Sequence, residues 1–131
     1  MEYTLVVDDD QYMLSMVKQI LECEGIKAYC VASGEEALWK IKEEPFLLMI
    51  TDLNMPGMNG LELAQKARQI APHMPIIMST GDISPGISCL AKEIGIIEVL
   101  AKPFHPDKFL EIVKDVMGIE RKKRLLAQGT A

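Results

Sequence analysis

Acidic residues, a threonine and a lysine stand where apolar runs of the sequence end. Three consecutive aspartates, Asp8 to Asp10, follow the first run, and Asp52 follows the third. Thr80 ends the next run and Lys102 comes after the last. Carboxylates gathered in one place repel one another, and a single lysine cannot neutralise three or four of them. Oxygen ligands of this kind suit a hard divalent cation, Mg²⁺, with Mn²⁺ as an alternative ion.

A magnesium site beside a lysine and a hydroxyl is typical of a place where a phosphoryl group binds. The sequence holds neither of the glycine-rich patterns, G-x-x-x-x-G-K-[ST] and G-x-G-x-x-G, that bind nucleotide phosphates. Nucleotide binding is therefore disfavoured. An aspartate that itself accepts the phosphoryl group remains as the interpretation, because carboxylates do form aspartyl phosphates.

Hydrophobic periodicity predicts the elements that bring these residues together. Short apolar runs, such as residues 47–50 and 76–78, alternate with segments in which apolar residues recur every three or four positions. Five such pairs predict an α/β domain with a doubly wound parallel sheet. The carboxyl ends of its strands share one edge, where ligands bind in such sheets. The second strand ends without a charged group. The polar side chains of the site are therefore expected at the ends of the other four strands.

The composition fits one globular domain. The chain has 131 residues, of which 49% are hydrophobic and 25% charged. A net charge of −5 and only seven aromatic residues disfavour direct binding of nucleic acid. No apolar stretch is long enough to cross a membrane and no signal peptide precedes the acidic triplet, so we expect a cytoplasmic protein without membrane contact.

We call the strand ends that carry Asp8, Asp9, Asp52, Thr80 and Lys102 the acidic edge. Side chains outside it are expected to have structural roles. The three cysteines are widely spaced and far from both histidines, which predicts buried free thiols rather than a zinc site or disulfides. Trp39 lies on the predicted second helix, where we expect it to pack against the protein. Asp10 is expected to cap the first helix rather than to join the site.

Four motifs in this order resemble the receiver domain of two-component response regulators, and the size is similar to the single-domain chemotaxis type. They occupy residues 6–9, 51–60, 79–81 and 102–104. The most specific is the D-x-x-M-P-x-M-x-G run of residues 52–60. The resemblance covers about residues 3–117 and implies a flavodoxin-like (βα)5 fold with strand order 2-1-3-4-5. It divides the chain into a receiver domain, residues 1–118, and a basic helical extension or linker stub, residues 119–131.

The resemblance also implies a role for each residue of the acidic edge. Asp52 would accept the phosphoryl group, Lys102 and Thr80 would contact it, and Gly81 would leave room for it. The magnesium ligands would be Asp8, acting mostly through water, Asp9, Asp52 and the backbone carbonyl of Asn54. Structural roles would fall to Pro56, Gly60 and Pro103, the last after a cis peptide bond.

The function implied is a signalling switch that catalyses only its own phosphorylation and dephosphorylation. A sensor histidine kinase or a phosphotransfer protein would be the donor, and an unknown output protein would bind the surface of about residues 84–117. The switch would be a monomer or a phosphorylation-dependent dimer. It would be either a stand-alone receiver or one cut from a larger regulator or hybrid kinase.

The sequence departs from the family pattern in the fifth strand. Receivers commonly place an aromatic residue three positions before the lysine, and this chain has Val99. Coupling is then expected to be weak or to pass through Ile83, Leu100 and the loop at the predicted fourth helix. Asn54 and Asp82 stand at positions that tune the access of water in this family. Their polarity predicts a phosphoaspartate that turns over rather than a long-lived one.

Three other functions are compatible with parts of the pattern. A pseudo-receiver that binds its partner without phosphorylation is favoured by Val99, although the complete acidic set argues against it. An aspartate phosphohydrolase would need a D-x-D-x-T pattern, which the sequence lacks around Asp52. A flavodoxin-type FMN carrier would need a phosphate-binding loop after the first strand, and none is present.

Overall fold

Five strands and five helices alternate along the chain in the computed structural model, which describes residues 2–127. The elements are, in order, β1 (Thr4–Val7), α1 (Gln11–Cys23), β2 (Ala28–Val31), α2 (Gly34–Glu43), β3 (Leu48–Asp52), α3 (Gly60–Ile70), β4 (Ile76–Thr80), α4 (Pro85–Ile94), β5 (Glu98–Ala101) and α5 (Pro106–Ala127). All strand pairs are parallel, in the order β2-β1-β3-β4-β5. This confirms the predicted doubly wound, flavodoxin-like sheet.

Helices cover both faces of the sheet, and this explains the apolar runs. Every residue of β1, β3 and β4 is buried, as expected for central parallel strands. Helices α2, α3 and α4 pack on one face through residues such as Ala37 and Leu63. Helices α1 and α5 pack on the other through residues such as Leu21 and Phe109. The outer strands β2 and β5 keep exposed positions because each has only one neighbour.

Polar side chains fix the beginnings of the helices. Asp10 caps α1, as predicted, because its carboxylate accepts a hydrogen bond of 2.9 Å from the backbone N–H of Tyr12. Ser33 and Ser84 cap α2 and α4 in the same way. Helix α5 continues to Ala127, well past the buried Val116. Within residues 2–127, no helix combines the length and the apolar composition that crossing a bilayer requires.

Two expectations about side-chain burial are wrong. Trp39 is 71% exposed on the outer side of α2, so it does not pack within the protein. The cysteines are free, but Cys23 and Cys89 are exposed and Cys30 is only partly buried. Cys23 lies in the last turn of α1, and Cys89 lies on the outward side of α4.

Candidate functional site

Three carboxylates meet at the carboxyl edge of the sheet. Asp8 follows β1 and Asp52 ends β3, and the two strands pair with Val7 opposite Thr51, which sets the two acids side by side. Asp8 and Asp52 are buried, whereas Asp9 is exposed. One carboxylate oxygen from each of the three acids lies within 4.8 Å of the others. The structure therefore brings together the three aspartates that the sequence nominates as metal ligands.

Lys102 joins this cluster from the end of β5, which lies two strands from β3 in the sheet. Its ammonium nitrogen lies 3.0 Å from Asp52 Oδ1 and 3.3 Å from Asp8 Oδ2. Its backbone N–H donates a 2.8 Å hydrogen bond to the carbonyl of Thr80, which ties the end of β5 to the end of β4. The peptide bond between Lys102 and Pro103 is cis, as predicted.

Burial and charge act in opposite directions on the ionisable groups here. Burial raises the pKa of Asp8 above its ordinary value, and the nearby charge of Asp52 adds to this. A backbone N–H and the charge of Lys102 partly offset that rise. Burial alone would lower the pKa of Lys102, but its bonds to Asp52 and Asp8 outweigh this and raise the pKa. The two acids therefore favour the charged form of Lys102, whereas burial works against the ionisation of Asp8.

Thr80 presents a hydroxyl at the end of β4. The residue is fully buried, and its Oγ1 accepts a 3.0 Å hydrogen bond from the backbone N–H of Asp82. A hydroxyl that accepts this bond keeps its own hydrogen to donate to a ligand. Gly81 and Asp82 are exposed, and a Cβ on Gly81 would meet nothing within 4 Å. The space beside Gly81, the residue that follows the threonine, is therefore open.

A tight loop carries the chain from Asp52 into α3. The backbone N–H of Gly60 donates a 2.8 Å bond to the carbonyl of Leu53, and a Cβ at Gly60 would lie 2.9 Å from the Leu53 Cα. A side chain at residue 60 would therefore force the backbone of Asp52 and Leu53 to shift. Asn54 and Pro56 are exposed within this loop, so both face solvent beside Asp52.

One contact of the site was not predicted from the sequence. The backbone N–H of Asp10 donates a 3.0 Å hydrogen bond to Asp8 Oδ1 and holds that carboxylate in place. The donor is a main-chain group, so no residue type signals it. Val99 does not reach the acidic cluster: it pairs with Met78 in the middle of β5 and packs against the layer of α2, α3 and α4.

Comparison with known proteins assigns a family. The sequence matches the model of the response regulator receiver domain over residues 4–114. It is 34% identical to the response regulator receiver protein CpdR of Brucella abortus over 105 residues, 80% of this chain and 88% of that protein. It is 32% identical to the C4-dicarboxylate transport transcriptional regulatory protein DctD of Rhizobium meliloti, covering 95% of this chain but only 26% of DctD.

Solved structures agree with that assignment. A CheY-like receiver domain protein from Methanospirillum hungatei is 36% identical with a TM-score of 0.89, covering 94% of this chain and 98% of that one. The chemotaxis protein CheY4 of Vibrio cholerae is 34% identical with a TM-score of 0.84, covering 88% and 98%. The chain belongs to the family of response regulator receiver domains, which act as phosphorylation-dependent switches in two-component signal transduction.

Proposed function

We propose that Asp52 accepts a phosphoryl group from the phosphohistidine of a sensor histidine kinase or a phosphotransfer protein. The observation that carries this proposal is the position of the buried Asp52 carboxylate, between the Lys102 ammonium at 3.0 Å and two further acids. In the transfer, an Asp52 oxygen forms a bond to phosphorus while the bond from phosphorus to the imidazole nitrogen breaks. The imidazole leaves with the electron pair of that bond.

The donor set fits Mg²⁺, with Mn²⁺ as an alternative. Three carboxylates lie close together, and the single charge of Lys102 leaves about two negative charges for a divalent cation to balance. We propose Asp9, Asp52 and the backbone carbonyl of Asn54 as ligands, with Asp8 acting mostly through water. The bound ion would neutralise charge on the phosphoryl oxygens.

Lys102 and Thr80 are proposed to bind the transferred group. Phosphorylation adds about −1.5 to −2 charges, which Lys102 is placed to balance because it already contacts Asp52. The Thr80 hydroxyl can donate its free hydrogen to a phosphoryl oxygen, and the open space at Gly81 leaves room for that oxygen. The displacement of Thr80 would be the local event that changes the shape of the neighbouring surface.

The output surface is proposed to lie on α4, β5 and α5, about residues 84–117. Large apolar side chains are exposed just before and within this region: Ile83 is 48%, Leu90 48% and Ile97 45% exposed. Because Val99 lacks the rotamer swing of an aromatic residue, we propose that Thr80 acts through Ile83 and the loop before α4. This protein would therefore couple phosphorylation to its partner surface less strongly than receivers with the usual aromatic residue.

We propose that the phosphoaspartate turns over by the protein's own hydrolysis. Asn54 and Asp82 are both exposed polar residues beside the site, where they can guide water toward the phosphorus. A phosphoaspartate that lives as long as a free acyl phosphate would overturn this part of the proposal. The division of the chain near residue 118, the cytoplasmic location and the oligomeric state stay predictions.

Intact-protein mass spectrometry tests the proposal. The protein is incubated with acetyl phosphate or phosphoramidate, with Mg²⁺ or with a chelator, beside the variant Asp52→Asn. We expect a Mg²⁺-dependent mass gain of one phosphoryl group that is absent from Asp52→Asn. If the folded protein shows no gain in mass under any condition, the proposed phosphorylation switch is overturned. The pseudo-receiver, which binds its partner without phosphorylation, would then be favoured.

A further inference from the structure

An exposed aromatic groove lies at the β2 edge of the sheet, away from the acidic site. Tyr29 on the edge strand β2 is 39% exposed, and Trp39 on α2 is 71% exposed. Between them lies a cavity of about 450 Å³, which we call the α2 groove. The residues that line it include Tyr29, Val31, Glu36, Trp39, Lys40 and Glu43.

The α2 groove is acidic. Glu35, Glu36 and Glu43 all line it, and Lys40 carries the only positive charge among its described lining residues. The Lys40 ammonium lies 3.8 Å from Glu43, 3.6 Å from Glu44 and 4.6 Å from the centre of the Tyr29 ring. Lys40 is therefore already partnered. The remaining carboxylates stand beside an exposed indole ring, and this combination attracts a further cation from a partner.

The charge of the chain itself is divided unevenly. Residues 1–118 carry a net charge of −8, whereas residues 119–131 carry +3. Four of the fourteen Lys and Arg residues are consecutive, at residues 121–124, and two leucines follow them. Leu126 is 80% exposed. The chain thus contains a basic and apolar segment that complements the acidic and aromatic α2 groove.

The fold leads this segment away from the groove of its own chain. Helix α5 is continuous to Ala127, so residues 117–126 extend it by about 15 Å beyond Val116, at 1.5 Å a residue. Helix α5 packs on the sheet face that it shares with α1, and α2 packs on the opposite face. The segment therefore continues a helix on the opposite face of the sheet from the α2 groove, which makes a second copy the more direct partner for that groove.

We propose that residues 119–127 of one copy bind the α2 groove of a second copy. Basic side chains would pair with Glu35, Glu36 and Glu43 and stack on Trp39, and the leucines would cover apolar surface beside it. Each copy has one groove and one segment. Reciprocal exchange would close as a dimer, and one-way contacts would continue as a chain of molecules. The contact needs neither a phosphoryl group nor Mg²⁺, so it is independent of the proposed switch.

Sedimentation velocity of the full chain, with a chelator and no phosphodonor, tests this proposal. The protein is measured over a wide range of concentration, at low and high salt. We expect self-association that weakens at high salt, because the contacts are largely electrostatic. Trp39→Ala should weaken it about tenfold, equal to about 1.4 kcal/mol. The variant R121Q/K122Q/K123Q/R124Q should abolish it. Tyr12→Ala is the matched control, since it removes another aromatic residue, 88% exposed on α1.

A second measurement uses the single tryptophan of the sequence as a local probe. A synthetic peptide of residues 118–131 is added to the full chain, and the fluorescence of Trp39 is recorded. We expect a saturable change with this peptide and none with a peptide in which residues 121–124 are glutamine. A protein that stays monomeric and shows no response to the peptide would overturn the proposal. Self-association that survives both sets of substitutions would also overturn it, because a different surface would then be responsible.

Discussion

Replacing Lys102 by methionine removes the ammonium that holds two buried carboxylates together. Its nitrogen lies 3.0 Å from Asp52 Oδ1 and 3.3 Å from Asp8 Oδ2, and the two acidic side chains are only 8% and 7% exposed. Removing one partner of a buried ion pair costs about 3–5 kcal/mol. Because the lysine side chain is 23% exposed, water screens part of the interaction. We therefore expect Lys102→Met to lower the free energy of unfolding by about 3 kcal/mol without Mg²⁺.

Urea unfolding followed by circular dichroism measures this loss. The double variant Asp52→Asn/Lys102→Met should be more stable than Lys102→Met alone, since it removes one of the two repelling charges. Mg²⁺ should stabilise Lys102→Met more than the wild type, because three carboxylates without a lysine bind the ion more tightly. Lys108→Met is the control: that side chain is 63% exposed in a surface pair with Glu111, so its loss should change stability by less than about 0.5 kcal/mol.

Two results would refute this account of the cluster. One is a Lys102→Met protein that is as stable as the wild type in the presence of a chelator. The other is an equal stabilisation of both proteins by Mg²⁺. Either would mean that the contacts of Lys102 with Asp8 and Asp52 do not stabilise the folded protein.

Three further predictions concern one residue next to the site and two residues elsewhere in the fold. Gly60→Ala should lower stability by about 2 kcal/mol in urea unfolding, because its Cβ would lie 2.9 Å from the Leu53 Cα; Gly86→Ala, which meets open space, should not. Arg68→Met should cost about 2 kcal/mol in the same assay, since Arg68 donates hydrogen bonds of 2.8–3.0 Å to the carbonyls of Pro72 and Met74 in the loop after α3 and of Gly95 at the end of α4. Burial raises the pKa of the Cys30 thiol, so iodoacetamide should modify it more slowly than the two exposed cysteines, and peptide mass spectrometry with equal rates at all three would contradict this.

The acidic cluster could be predicted from the sequence because topology alone determines where it lies. Parallel strands end at one edge, so aspartates that directly follow β1 and β3 must be neighbours whatever their side chains do. The hydrogen bond from the Asp10 N–H to Asp8 could not be predicted in the same way. It depends on the backbone path of the turn into α1, and a main-chain donor is the same in every residue type except proline.

The partial burial of β5 could not be predicted from its residue pattern, because it depends on the order of the strands in the sheet. Its apolar residues resemble those of β4, yet Val99 is half-buried and Ala101 is exposed. The difference comes from strand order, because β5 is the last strand and pairs only with β4. An apolar run therefore predicts a strand of this sheet without indicating whether the strand is central or lies at an edge.

The wrong expectation for Trp39 has a different origin, because here the periodicity contained the answer. Residues two apart on a helix do not face the same side, and Trp39 is two residues from both Ala37 and Ile41, which are buried. Position alone thus indicates that Trp39 faces outward, and only its size and apolar character suggested packing. A large aromatic residue at a position that the helical period assigns to solvent is a better indication of a binding surface than of a core. The acidic residues around Trp39 are the reason to test a basic segment as the partner of that surface.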